Sequence, residues 1–266
     1  RTGLRELVRE IRETRVLHHG LAQSIFGKAR FMLSPCFGSL GKACLQPLQF
    51  NGGRQYRPID AELEDSLEFI QLVCDTLPPL VLPALFTDSR PVVVFVDAEG
   101  KKRTATSPPS GHLGFTVIHP TRGTISGMKA VPPATVALMD RISERQTYIG
   151  QFELMGAIAA FVSLDRTYFT GRPVELWIDN SGAIGGLIRG YSGVPDCARI
   201  INTFHFAIAR LGLASLYIDY VPSESNPADV PSRWHEMSEA ERAEARPALG
   251  RIVELTIPEL ADANGE

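Results

Sequence analysis

The sequence predicts an α/β fold, with a five-stranded mixed sheet flanked by helices and a small helical segment ahead of it. First, residues 92–96 form an uninterrupted apolar run in which four of five residues are β-branched. Such a run is typical of a strand buried on both faces. Second, the residues before about position 88 have helical periodicity. Third, the pattern from residue 91 onward predicts the element order β-β-β-α-β-α-α-β-α.

Composition limits the function classes that need be considered. The chain has 266 residues, 44% of them hydrophobic and 21% charged, as expected for a globular protein. No apolar run approaches 18 residues, so we expect no membrane association. Four cysteines without a C-x-x-C pair argue against a zinc ribbon or a disulfide scaffold and indicate an intracellular setting, cytoplasm or nucleus. At a net charge of −3, a nucleic-acid partner would require local patches and metal ions.

The first 88 residues are predicted to be helical. Residues 60–74 form an amphipathic pattern with acids in the first turn, which favours a helix start. Arginines recur at helical spacing from Arg1 to Arg12, either as a solvated face or as a phosphate-gripping one. The chain begins at Arg1 with no signal-peptide pattern, so we expect a piece of a longer polypeptide.

The remaining elements follow from local patterns. Two runs separated by a short turn at residues 119–123 predict a hairpin. We divide the chain into a helical segment (1–88), an α/β domain (89–236) and a C-terminal tail (237–266) with a peripheral helix and a frayed end. The predicted strands are residues 92–96, 113–118, 124–131, 174–178 and 216–221, and the predicted helices are residues 151–168, 183–189, 195–211 and 227–234.

Four acidic residues fall at meaningful places in this order. Asp97 closes the first strand and Asp179 closes the fourth. Glu153 lies in the first turn of the first long helix, and Asp229 opens the terminal helix. If the first and fourth strands are parallel neighbours, both aspartates leave the sheet at the edge where such sheets place ligands. The alternative is four unrelated strand-end and capping acids.

A cluster of these acids would call for cations. Carboxylates within a few ångströms of one another repel and raise each other's pKa. Mg²⁺ prefers oxygen ligands, and two such ions can activate a water and stabilise a leaving oxygen at phosphorus. The acids therefore indicate phosphodiester chemistry.

The acids and the closing motif resemble a known family. Asp97, Glu153, Asp179 and Asp229 resemble the D-E-D-D set of the ribonuclease H family. Residues 226–233 read N-P-A-D-V-P-S-R and resemble the N-x-x-A-D-x-x-S-R signature that ends the ribonuclease H domain of retrotransposon reverse transcriptases. The stretch at residues 21–45 resembles the thumb or connecting segment of those enzymes, and no polymerase palm is visible.

The resemblance implies a ribonuclease H-like fold, cleavage of the RNA strand of an RNA–DNA hybrid, and two Mg²⁺ or Mn²⁺ ions held by the four acids. Asp97 and Asp179 would be the core ligands. Glu153 would hold the ion on the leaving-group side and contact the ribose 2′-OH, and Asp229 would hold the ion carrying the attacking water. The polymerase domain of a parent polyprotein would be a partner. Residues assigned to nucleic-acid binding are Asn180, Ser181, Asn226 and Arg233, with capping of the next helix as the alternative for Asn180 and Ser181.

Two departures from the family pattern stand out. The loop histidine that often precedes the fourth acid is absent from residues 219–221, and His205, on the preceding helix, is expected to be packed. No basic handle helix follows the first long helix. Trp177 is expected in the core, whereas Trp234 could stack on a nucleotide. Two other functions remain open: a DNA-directed nuclease on the same fold, and a non-catalytic connection-type or degenerate domain that supports nucleic-acid binding.

Overall fold

The computed structural model describes residues 2–33, 39–49, 56–76 and 90–257. The predicted boundary near residue 88 and the end of the predicted tail lie outside these residues. The helices are α1 (Thr2–Thr14), α2 (His19–Leu33), α3 (Ala61–Thr76), α4 (Pro133–Ile142), α5 (Ile149–Val162), α6 (Ser181–Arg189), α7 (Pro195–Leu211), α8 (Asp229–Ser232) and α9 (Glu239–Ala245). The strands are β1 (Val16–His18), β2 (Tyr56–Pro58), β3 (Val92–Lys101), β4 (Ser110–His119), β5 (Gly123–Ala130), β6 (Pro173–Ile178), β7 (Ser215–Tyr220) and β8 (Arg251–Glu254).

The larger sheet is mixed, as predicted. Its strand order is β7-β6-β3-β4-β5-β8, in which β3, β4 and β5 form an antiparallel meander. The pairs β3–β6, β6–β7 and β5–β8 are parallel. The described sheet has six strands instead of the predicted five. The sixth, β8, lies in the segment that the sequence analysis placed in a tail, and Leu255 after it is fully buried.

One strand boundary was predicted wrongly, and it concerns Asp97. The parallel pairing of β3 with β6 ends at Val96 opposite Ile178. The antiparallel pairing with β4 continues to Lys101 opposite Ser110. Asp97 therefore lies in the middle of a ten-residue strand, paired with Gly114, and not at its end. Asp97 is nevertheless the first residue of β3 beyond the end of its pairing with β6.

Helix α5 provides the main cover of the central strands. Every residue from Gln151 to Phe161 is buried, and the helix packs on β3 and β4. An all-round apolar helix of this kind belongs in a protein interior. It begins at Ile149, two residues before the predicted start, so Glu153 is in the second turn instead of the first. Helix α4, which the sequence pattern did not reveal, precedes it.

The N-terminal segment has its own core of residues from α1, α2 and α3. It also contains the short antiparallel pair β1–β2, which was not predicted. It docks on α7 through an ion pair of Asp65 with Arg199 at 2.5 Å. His205 on α7 is buried, as expected, and its Nδ1 accepts a hydrogen bond from the Ser39 amide at 3.3 Å. None of the described helices has the length and apolar character needed to cross a bilayer.

Candidate metal centre

Strand register places the first two acids side by side. Val96 of β3 pairs with Ile178 of β6, and the next residue on each strand is an aspartate, Asp97 and Asp179. Successive side chains of a strand point to opposite faces of a sheet. Asp97 therefore projects away from the α5 face on which Val96 lies in the core. Asp179 is the first residue after β6, and the parallel, in-register pairing of the two strands brings it close to Asp97.

Glu153 joins these aspartates from helix α5. One carboxylate oxygen from each of Asp97, Glu153 and Asp179 lies within 4.8 Å of the other two. Asp97 and Glu153 are 4% and 3% exposed, while Asp179 is half-buried. The structure thus brings three of the four predicted acids together, two from neighbouring strands and one from a helix on the other side of the sheet.

The close approach of these carboxylates, together with their burial, raises the pKa of two of them. Burial and the charges of Asp97 and Asp179 raise the pKa of Glu153 to about 9. Burial raises the pKa of Asp97 to about 6, with the charges of Asp179 and Asp229 adding to the rise and the Ser232 hydroxyl opposing it. The Oε2 atom of Glu153 is buried and has no hydrogen-bond partner in the part of the chain that the structure describes.

Asp229 is placed differently from the other three. It is the first residue of α8, as predicted, but lies outside the group of mutually close oxygens. Its Oδ1 pairs with Nε of Arg233 at 2.9 Å. It remains near enough for its charge to raise the pKa of Asp97. The charge of Asp229 therefore acts on the cluster, although its carboxylate oxygens are not among the mutually close ones.

The position of α8 depends on a glycine in the neighbouring strand. A Cβ on Gly114 would lie 2.3 Å from the amide nitrogen of Ser232 and 2.9 Å from the carbonyl oxygen of Ala228. Because the obstructing atoms are backbone, only glycine at this position allows α8 to pack directly on β4 beside Asp97. Ala228 and Ser232 are fully buried at this contact.

Most polar residues of the closing motif are occupied in docking it. The Asn226 side chain is 5% exposed; it donates to the Val96 carbonyl at 2.9 Å and accepts from the Ala228 amide at 3.1 Å. Ser232 donates a short hydrogen bond to Asp97 Oδ2. Asn226, which the sequence analysis assigned to nucleic-acid binding, thus has its side chain committed inside the protein. Arg233 is half-exposed beside Asp229.

Asn180 and Ser181 lie where they were predicted, at the start of α6 next to Asp179. The side chain of Asn180 caps the helix by accepting from the Ala183 amide at 3.0 Å. Ser181 is the exposed first residue of α6. The capping interaction that was the alternative for Asn180 is thus present, and α6 begins two residues after Asp179.

Sequence reasoning missed two hydroxyl groups that orient the aspartates. Ser232 could have been found, because it is the serine of the N-P-A-D-x-x-S-R motif. Ser223, whose Oγ donates to Asp179 Oδ2 at 2.7 Å, has no comparable signal in the sequence. The expectation that Trp177 lies in the core was wrong: its side chain is only half-buried on β6 and lies in edge contact with Tyr217, with ring centroids 6.2 Å apart.

The residues present fit divalent cations. Three hard oxygen donors converge, Glu153 has a buried oxygen without a hydrogen-bond partner among the described residues, and the charges of the two aspartates raise the pKa of Glu153. A cation of the Mg²⁺ class would supply the missing positive charge and take these oxygens as ligands.

Comparison with known proteins gave likenesses in fold only. No family model and no curated protein matches the sequence. Among solved structures, an RNase H1 from the halophilic archaeon Halobacterium salinarum NRC-1 is 17% identical at a TM-score of 0.40, covering 60% of this chain and 99% of that chain. The N-terminal RNase H domain of a Mycobacterium tuberculosis protein, solved as a fusion with maltose-binding protein, has the same identity and TM-score and covers 59% and 99%.

At this identity and TM-score we rely on the strand order and the strand register of the chain itself. An antiparallel meander is extended on the β3 side by two parallel strands, and a long buried helix crosses the central strands. The fold is ribonuclease H-like. The in-register parallel pairing of β3 with β6 accounts for the proximity of Asp97 and Asp179.

Proposed function

We propose that this chain is a metal-dependent nuclease that hydrolyses the RNA strand of RNA–DNA hybrids. The observation that carries the proposal is the convergence of carboxylate oxygens from Asp97, Glu153 and Asp179 within 4.8 Å. Burial and the two neighbouring aspartates keep Glu153 protonated at neutral pH when no cation is bound. A buried, crowded group of acids lowers the stability of the fold, so its presence favours a functional role over a purely structural one.

The ions would be two Mg²⁺ or Mn²⁺, held by Asp97, Glu153, Asp179 and Asp229. When bound, two such ions can activate a water and stabilise the leaving oxygen at phosphorus. The protein's own contribution is positioning: Ser232 and Ser223 each donate to one oxygen of an aspartate and so fix the direction of the other.

Substrate binding in this proposal uses groups that border the carboxylates. The amides and hydroxyl at the start of α6, around Asn180 and Ser181, suit a backbone phosphate, because a helix N-terminus favours anions. The half-exposed Arg233 offers a positive charge on the α8 side. Asn226 is proposed as a positioning residue, since both ends of its side-chain amide have partners inside the protein.

We further propose that the chain is the C-terminal part of a retrotransposon reverse transcriptase polyprotein and acts inside the cell. The motif at residues 226–233 and the helical segment ahead of the sheet support this origin. The N-terminal segment would be the thumb or connection that joins a polymerase domain. The proposed division is residues 1–88, 89–236 and 237–266, with β8 of the last segment adding a strand to the sheet of the second.

The test is a comparison of substrates under one set of conditions. Strand-labelled RNA–DNA hybrid, RNA duplex, DNA duplex and single-stranded RNA of one sequence are incubated with the protein in Mg²⁺, in Mn²⁺ and in chelator. We expect cutting of the RNA strand of the hybrid alone, in either metal and not in chelator. Cutting of DNA duplex would favour a DNA-directed nuclease instead.

A folded protein that cuts none of these substrates would favour the non-catalytic alternative, a connection-type or degenerate domain. If such a protein bound the hybrid without cutting it, the alternative of a domain that supports nucleic-acid binding would be favoured. Absence of both cutting and binding would remove nucleic acid from the proposal altogether.

A further inference from the structure

We propose a second metal site, formed by Glu99, His112 and His235, that takes a transition-metal ion of the Zn²⁺ class. It does not rest on the proposed nuclease function, because it is defined by binding alone. One ligand atom from each of the three residues lies within 4.8 Å of the other two. Glu99 is on β3, His112 is opposite it on β4, and His235 follows α8.

The distances suit ligands that share an ion. Glu99 Oε2 lies 3.7 Å from His112 Nδ1 and 3.7 Å from His235 Nε2. These separations are too long for a hydrogen bond. In a tetrahedral zinc site with bonds of about 2.0–2.2 Å, ligand atoms are about 3.3–3.5 Å apart. The observed separations are within a few tenths of an ångström of that value, so the ligand atoms are close enough to share an ion once the imidazole rings have turned towards it.

Two of the three ligand atoms also lack hydrogen bonds when no ion is bound. Glu99 Oε2 and His112 Nδ1 are buried and have no hydrogen-bond partner among the described residues. Buried polar atoms without hydrogen-bond partners are rare. The carboxylate and the imidazole face each other at 3.7 Å, so they attract one another only when the imidazole is protonated, whereas an ion between them would bind both atoms. The rings of His112 and His235 stack beside Glu99, with their centroids 3.4 Å apart and their planes at 12°. Because an imidazole nitrogen binds an ion in the plane of its ring, one of the two rings must turn out of this stack when the ion binds.

The ligand set selects a different metal from the carboxylate cluster. Two imidazoles and one carboxylate suit Zn²⁺, whereas the all-oxygen set of Asp97, Glu153 and Asp179 suits Mg²⁺ or Mn²⁺. Asp97 and Glu99 are two residues apart on β3 and point to the same face, so the two sites are about 6.6 Å apart along the strand. Three protein ligands leave a fourth position open.

An ion here would fasten the chain after α8 to the sheet. Glu99 and His112 are fixed by strand pairing, while His235 belongs to the turn that follows Arg233. A neighbouring cation, the Lys101 ammonium, is neutralised by Glu236 at 2.8 Å. The site would therefore stabilise the segment that carries Asp229 and Arg233 over the carboxylate cluster.

The experiment measures binding of Zn²⁺ and Co²⁺ to the full chain in excess Mg²⁺. Titration calorimetry gives the affinity for Zn²⁺, and the visible absorption of Co²⁺ reports tetrahedral coordination with nitrogen ligands. The variants are Glu99→Gln, His112→Gln and His235→Gln. Asp97→Asn isolates the site from the carboxylate cluster, and His18→Gln, an exposed histidine on β1, is the matched control.

We expect one equivalent of Zn²⁺, a tetrahedral Co²⁺ spectrum, and a rise in Tm with Zn²⁺, in the wild type, Asp97→Asn and His18→Gln alike. Each of the three ligand variants should weaken Zn²⁺ binding by at least about tenfold and remove the tetrahedral spectrum. Weak or absent Zn²⁺ binding by the folded wild type would overturn the proposal. So would binding that Glu99→Gln and His235→Gln both leave unchanged, because His235 is partly exposed and its replacement should not unfold the chain.

Discussion

At the scale of single residues, Asp97 shows how opposing effects set a ligand's charge state. Burial and two neighbouring carboxylates favour its protonated form, while the hydrogen bond from Ser232 favours the ionised form. The balance leaves a pKa of about 6. Asp97 is thus ionised and ready for a cation near neutral pH, but only because the serine hydroxyl opposes the burial.

Replacing Ser232 by alanine should therefore change the pH profile. Loss of a hydrogen bond to a charged group is worth about 1.5–3 kcal/mol, which corresponds to a rise of about one to two units in the pKa of Asp97. We expect the acidic limb of the pH–activity profile to move to higher pH by about one unit, with activity recovering at alkaline pH. Ser225→Ala, at an exposed position, is the control. An acidic limb at its wild-type position would show that Ser232 does not tune Asp97.

Glu153 predicts how stability depends on pH when no metal is present. Its pKa is raised in the folded chain from 4.5 to about 9, so the folded state holds this proton more tightly than the unfolded state. The resulting stabilisation is complete below about pH 4.5 and is lost progressively as pH rises towards 9. In chelator, the free energy of unfolding from urea melts should fall over this window, and Mg²⁺ should restore it at the alkaline end.

The matched variant for this prediction is Glu153→Gln, which keeps the shape of the side chain and removes the titration. Its stability in chelator should vary less with pH between 4.5 and 9 than that of the wild type. Equal slopes for the two proteins would mean that Glu153 is not the group responsible.

The acids themselves could be predicted from the sequence, because each stands beside an element that local pattern reveals. Their partners could be predicted less well. Glu99 and His112 become neighbours only through the β3–β4 register, and His235 joins them only once α8 has docked. A single sequence carries no signal that His235 will contact Glu99 and His112, which precede it by more than a hundred positions.

At the scale of elements, α8 is a four-residue helix that cannot be stable alone. It is held by packing and by the hydrogen bond of Asn226 to Val96 across 130 residues of chain. The close approach to β4 requires glycine at position 114. The geometry around Asp97 therefore depends on a residue that carries no chemistry.

Gly114→Ala should disturb this contact. The added methyl group would meet the backbone of Ser232 and Ala228, which can relieve the clash only if α8 moves. We expect a loss of about 1–3 kcal/mol in stability from denaturant melts and a loss of metal-dependent cleavage. Gly150→Ala in α5 is the control: its Cβ would meet nothing within 4 Å, and it should stabilise the helix by up to about 1 kcal/mol. A fully active Gly114→Ala variant would contradict this account of α8.

The elements that sequence reasoning found are those with strong local patterns, such as β3 and α5. It missed α4, which begins at Pro133 directly after Pro132, because two consecutive prolines resemble a turn. It also missed β8, a four-residue strand whose hydrogen bonds are all made to β5 far away in the chain. Asp97 was placed at a strand end because the change from apolar to polar residues marks the end of one partner strand only.

At the scale of the whole molecule, the candidate centre draws on three layers. The sheet supplies Asp97 and Asp179, α5 supplies Glu153 from one face, and α8 closes the opposite face. The N-terminal segment packs on α7, at a distance in the topology from these residues. The three acids of the cluster therefore all come from the part of the chain that contains the six-stranded sheet.

The measurement that tests the central claim most directly is the rate of RNA-strand cleavage in an RNA–DNA hybrid, in Mg²⁺, by three proteins. These are the wild type, Asp97→Asn, and Glu244→Gln, which makes the same change at an exposed position on α9. The account predicts cutting by the wild type and Glu244→Gln, and a loss of at least about 100-fold in Asp97→Asn with the fold intact. Equal rates in all three proteins, or no cutting by a folded wild type, would contradict it.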